Sequence, residues 1–141
     1  MMVKCVSNEA SSFPEYLGEA FFELSLRFQL TVGDLYPVAG MELVKGRMWV
    51  LVPDDSDFRR PQWLPLDLFT VDDSALPSWW YFRRYDKGSA AFEAGFQARW
   101  GYKQLVESDQ HRNDLEDLDP AALYIFSAEL AQVEASSDDD Y

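Results

Sequence analysis

The chain has 141 residues, 16% of them aromatic, a formal net charge of -13, one His and one Cys. Its 48% hydrophobic content excludes a wholly disordered chain, and its length is that of one domain. The scarcity of imidazole and thiol argues against His-, thiolate- or Cys/His-metal chemistry, and the negative field argues against binding a phosphate backbone.

In chain order, Val3-Lys4-Cys5-Val6-Ser7 alternates apolar and polar side chains and predicts a short opening strand. Residues 8–19, with Pro14 and Gly18, read as an excursion away from the sheet, and 24–30 as a second strand followed by a turn at Thr31–Asp34. Leu35–Val44 and Met48–Val52 are strand-like runs joined by Lys45-Gly46-Arg47, a β-hairpin signature, with Pro37 marking an edge or a bulge. A polar loop spans Pro53–Pro61, and Trp63–Phe69 suggests one tight helical turn leading into a strand at Thr70-Val71. A last strand is expected at Trp79–Phe82. There Trp79 and Tyr81 would face one way and Trp80 and Phe82 the other, one pair lying beneath the C-terminal helices.

Beyond Gly88 the period changes, since Phe92, Phe96 and Trp100 recur at helical spacing. Ser108 is positioned to N-cap a helix with Leu115 and Leu118 on its apolar side. Asp119-Pro120 starts another, with Ala122, Leu123, Phe126, Leu130 and Val133 on one face and an end near Glu134. Strands first and helices after predict an α+β domain: an N-terminal antiparallel SH3-like β-barrel with C-terminal helices packed against it. The expected division is one domain over 1–135, mostly β over 1–85 and helical over 89–135. A disordered acidic tail is expected at 136–141 (SSDDDY).

The barrel expectation rests on LTVGDLYPV, the hairpin around KGRMWVLV, and WLPLDLFTVDD, whose layout resembles that of SH3-like barrels over residues 1–75. The ALYDY-type opening of proline-peptide-binding members is missing, so that activity is not carried over. Residues 100–126 (WGYKQLVESDQHRNDLEDLDPAALYIF) resemble the closing segment of small acidic bacterial immunity-type proteins of toxin systems. That resemblance implies a cytoplasmic inhibitor that occludes a toxin.

Charge is concentrated at the C-terminal end, where residues 101–141 hold two Lys/Arg against eleven Asp/Glu. This is either a solvated helical surface or a patch that steers a basic protein partner. Under the second reading Glu107, Asp109, Asp114, Glu116 and Asp117 steer, while Trp63, flanked by Pro61 and Pro65, is the exposed aromatic anchor.

His111 reads as exposed or helix-capping rather than catalytic, and Cys5 as a small core residue. Asp54, Asp55 and Asp57 read as a solvated loop, because the glycine and terminal glutamate of a calcium loop are missing; Arg59 and Arg60 are placed to pair with them. No cofactor, metal, nucleic acid or membrane is expected. The N-terminal MMVKCVSNEA has no apolar signal region and Cys5 has no intrachain partner, which points to the cytoplasm. The leading expectation is therefore a non-catalytic, protein-binding inhibitor. An adaptor or subunit of a larger bacterial assembly, an acidic nucleic-acid mimic and a small hydrolase using an Asp pair stand as alternatives.

Overall fold

Alternation of apolar and polar side chains marks the opening strand, and near-continuous apolar runs mark the central hairpin. In the computed structural model, which describes residues 1–9 and 28–138, the strands begin with β1 (Met2–Cys5), β2 (Leu35–Pro37), β3 (Gly40–Val44), β4 (Arg47–Pro53) and β5 (Pro61–Pro65). A single 3-10 turn at Leu66–Leu68 leads into β6 (Phe69–Asp73), and β7 (Tyr81–Arg84) follows. The C-terminal half contributes α1 (Ala90–Glu93), β8 (Phe96–Gly101), α2 (Lys103–Glu107), α3 (Asp109–Glu116) and α4 (Pro120–Asp138). The excursion and most of the strand expected over 8–30 lie outside the described residues, as does the end of the acidic tail. Phe28–Leu30 are irregular, with the Phe28 N–H donating to the Asn8 carbonyl.

The chain is α+β, with two antiparallel sheets ordered β2-β1-β6 and β5-β4-β3-β8-β7. Among the described residues the strands do not close into the expected barrel. The run expected as one strand over 35–44 is two, because Val38-Ala39 carries the chain from β2 in one sheet to β3 in the other. Pro37, which cannot donate to a ladder, ends the first of them at a sheet edge.

The hairpin is as expected. Val44 faces Arg47 across a two-residue turn in which Lys45 and Gly46 both take positive φ (50° and 77°), the twist that matches antiparallel strands. β4 is buried on both faces: Val50 and Val52 point into one core and Leu51 into the other. The first core lies between the two sheets, where Val3, Tyr36, Val38, Met41, Leu64 and Leu68 meet. The second lies between the larger sheet and the helices, where Leu51 packs with Leu105, Leu115, Phe126 and Leu130. Cys5 is buried in the first core, as its strand position implied.

The helix expected through Phe92, Phe96 and Trp100 is instead one short helix followed by a strand. Gly95, at φ +103°, ends α1 after a single turn, and β8 enters the sheet between β3 and β7. A spacing of four is a multiple of two as well as close to one helical turn, so the pattern could not separate the two periods. Strand structure thus reaches well past residue 85.

Ser108 caps α3 as expected, its hydroxyl accepting from the His111 N–H at 3.1 Å, and Asp119 caps α4 through the Ala122 N–H at 3.1 Å. Leu118 is no core residue. It is exposed with φ +57°, just past the end of α3. α4 runs on past Glu134 to Asp138, with the Ser137 hydroxyl donating to Asp73 on β6.

One close approach sets how α2 sits on the sheet. Gly40 and Gly101 face each other across β3 and β8, and a Cβ on either would run into Cδ2 of Leu105, which is fully buried. Gly40→Ala is expected to destabilise by about 2 kcal/mol through overpacking, read as a lower urea midpoint with unchanged slope.

Candidate functional site

A charged residue inside an apolar strand needs partners if its side chain turns inward. Glu42, in Gly40–Val44, points to the helix side and is 1% exposed. Its cross-strand neighbour is Arg99 of β8, 3% exposed, whose Nε donates to Glu42 Oε2 at 2.9 Å. Arg112 reaches in from α3 and donates to the same carboxylate from Nη2 at 2.8 Å and from Nε at 3.2 Å. The hub extends to the surface. Arg99 Nη1 donates to the Leu105 carbonyl and to Asp109, both at 3.2 Å, and Arg112 Nη1 donates to Glu116 at 2.8 Å. Burial opposes the charge on Arg112, but hydrogen bonds and the field of Glu42 outweigh it and raise its pKa.

Two of the five expected steering acids therefore serve structure. Asp109 is bound by Arg99, with Arg83 at 3.7 Å, and Glu116 is bound by Arg112, although both side chains remain more than half exposed. Asp114 accepts from Gln110 at 2.7 Å. Glu107 and Asp117 are exposed, with no cation against them among the described residues. Trp63 is not the exposed anchor expected. It is half-buried against the second core, and the Arg112 guanidinium lies 5.3 Å from its ring centre. Among the described residues the most exposed aromatics are Phe58 and Tyr124, each 78% exposed, followed by Phe82 and Tyr81 on β7. Phe58 sits in the polar loop and Tyr124 on the outer side of α4.

His111 also differs from expectation. It is buried, and its Nε2 lies 2.5 Å from the Tyr102 hydroxyl. Burial lowers the imidazole pKa and pushes the Tyr102 phenol far up, which favours the neutral form of both rings in this hydrogen bond. That bond ties α3 to the start of α2.

The Asp54–Asp57 loop is closed by its own acids. Asp54 Oδ1 accepts from the Ser56 and Arg60 N–H groups at 3.0 and 2.9 Å. Asp55 accepts from Thr31 and from the Tyr36 hydroxyl, each at 2.7 Å. Burial, ahead of the Asp55 charge, pushes the Tyr36 phenol up to about 12. The Arg59 side chain pairs at 2.9 Å with Glu134 of α4 instead of with these carboxylates. Among the described residues, no group of three or more His, Cys, Asp and Glu is placed to hold a metal ion.

Trp79 and Trp80 do not lie on opposite faces of a strand. They precede β7, and both indole N–H groups donate to Glu129 of α4, at 2.7 and 2.9 Å to Oε1. The C-terminal helix thus holds one indole of each expected pair through a shared carboxylate, while Tyr81 and Phe82, their expected companions, are exposed.

Glu42, Arg99, Arg112 and Glu129 were not singled out in the sequence. The available signal was a charged side chain at an inward register position within GMELV and FQARWG, and an isolated Glu among AELAQ. Comparison with protein-family models, with curated proteins and with solved structures returned no match. No helix among the described residues is long and apolar enough to cross a membrane.

Proposed function

We propose that this chain is a non-catalytic, protein-binding inhibitor of the immunity type, acting in the cytoplasm by covering a basic surface on a toxin. The observation that carries this reading is a set of acids on braced helices. Glu107, Asp109, Asp114, Glu116 and Asp117 lie on α2, α3 and the end of α3, and Arg99 and Arg112 hold those helices to the sheet. Carboxylates on a preorganised support lose little freedom on binding, and their summed field raises the encounter rate with a cationic partner. The groups best suited to chemistry have structural duties: His111 is hydrogen-bonded to Tyr102, and Asp54 and Asp55 close their loop.

The test is co-expression with the product of the neighbouring gene, followed by association kinetics on the purified pair. The chain is expected to relieve the toxicity of that product. The Glu107→Lys/Asp117→Lys double variant, which leaves the hub intact, is expected to slow association about tenfold at low salt and to flatten its salt dependence. Absence of a complex defeats the inhibitor reading. A complex whose association rate ignores both salt and charge reversal defeats the steering mechanism.

A further inference from the structure

The hub is balanced partly from the solvent edge. The buried guanidinium of Arg99 and the largely covered one of Arg112 share the single buried carboxylate of Glu42, and the remaining compensation comes from Asp109 and Glu116, which are more than half exposed. Arg99 and Arg112 also line a cavity of about 290 Å³ between α1, β8 and α3, together with Tyr85, Ala91, Phe96 and Asp109. Glu107 and Asp117 do not line it, so the cavity shares only Asp109 with the acids of the partner reading.

Three features define what would fill it. The floor carries the two cations, each close to the Phe96 ring, with guanidinium carbons 6.0 and 5.3 Å from its centre. The α1 wall is made of alanine methyl groups, which leave room for an apolar body. Tyr85, 5% exposed, has a hydroxyl with no hydrogen-bond partner among the described residues, a buried donor awaiting an acceptor. Phe96 reaches this side because β8 carries one extra residue, Gln97, opposite the Leu43-Val44 step of β3.

The geometry points to a binding site for a small organic monocarboxylate with a compact aromatic or branched apolar body. Its carboxylate would take the place of Asp109 beside Arg99, accept from the Tyr85 hydroxyl, and release Asp109 toward solvent. A monocarboxylate suits the site better than a bulkier dianion, since exchanging it for Asp109 leaves the charge around the two guanidiniums unchanged. The volume is at the lower end for small-molecule pockets and matches a single ring with a short side chain.

The test is a calorimetric titration of the full chain with benzoate and phenylacetate, alongside the neutral isostere benzamide. Both acids are expected to bind at least about tenfold more tightly than the amide, which cannot supply the charge. Ala91→Phe, which fills the cavity from a partly exposed position on α1, is expected to abolish acid binding without changing the circular dichroism spectrum. Should that variant misfold, Tyr85→Phe serves instead and is expected to weaken acid binding about tenfold. No detectable binding of either acid, equal binding of acid and amide, or acid affinity unchanged in the variant used would each overturn the assignment.

Discussion

Glu42→Ala is expected to lower the unfolding free energy by about 3–5 kcal/mol, because it strands two guanidiniums in the interior. Glu42 takes hydrogen bonds from Arg99 and Arg112 together; Arg99, 3% exposed, is shut off from water, and Arg112 is largely covered. Asp109 and Glu116 reach only the outer nitrogens and cannot replace a carboxylate lying between the two groups. The opposite substitution separates strength from specification. Replacing all three hub residues at once (Glu42→Met, Arg99→Met, Arg112→Leu) removes the desolvation burden as well as the attraction, and is expected to restore most of the lost stability. Equilibrium unfolding in urea of the single and triple variants checks this. A single variant within about 1 kcal/mol of the parent would show that the two arginines find other partners. The triple variant is also expected to loosen α2 and α3, since Arg99 holds the Leu105 carbonyl and Arg112 spans β3 and α3. Faster amide exchange there is the corresponding observation.

The second large effect is at Glu129, 6% exposed, which takes two indole N–H groups. Glu129→Ala removes the acceptor of both and is expected to destabilise by about 2–3 kcal/mol, each orphaned donor adding to the loss. Glu129→Gln behaves differently. Both indoles address Oε1, so one amide oxygen can still accept from both, and the buried charge is gone. Burial raises the Glu129 pKa above its ordinary 4.5, against the lowering effects of the two indoles and the chain's amino terminus. A raised folded-state pKa means that the native protein holds this proton more tightly than the unfolded chain does. Its stabilising contribution is therefore fully present below 4.5 and is lost as pH rises through the folded value. Unfolding of parent and Glu129→Gln is accordingly expected to converge toward acid pH and to diverge in favour of Gln toward neutrality. A Gln variant that loses stability relative to the parent as pH rises would show that the ionised carboxylate is favoured in place.

Arg99 and Arg112 fix α2 and α3, which carry the acids of the proposed binding surface, and Glu129 fixes α4 to the segment before β7. Under that proposal the surface keeps its shape in the free state, so affinity is not spent on ordering it.

What the chain determines by local rules was legible in its letters. Lys45-Gly46 tolerates two positive φ values and forms the turn. Ser108 and Asp119-Pro120 supply side-chain acceptors at helix starts, and the apolar run of β4 marks a strand buried on both faces. Each of these depends on residues within a few positions of one another, where backbone geometry and periodicity act directly. Tertiary structure decided the rest. Glu42 meets Arg99 and Arg112 across 57 and 70 positions, and Trp79 meets Glu129 across 50, so no local pattern announces the pairing. β8 needed two neighbours to become a strand, because its spacing suits a helix equally well. His111 and Trp63 were expected at the surface; His111 is buried and Trp63 half-buried because α3 lies over the sheet. Local sequence set the turns, caps and faces; the long-range burial of opposite charges chose which face meets which, because an inward-pointing ion is tolerated only where its counterion arrives with it.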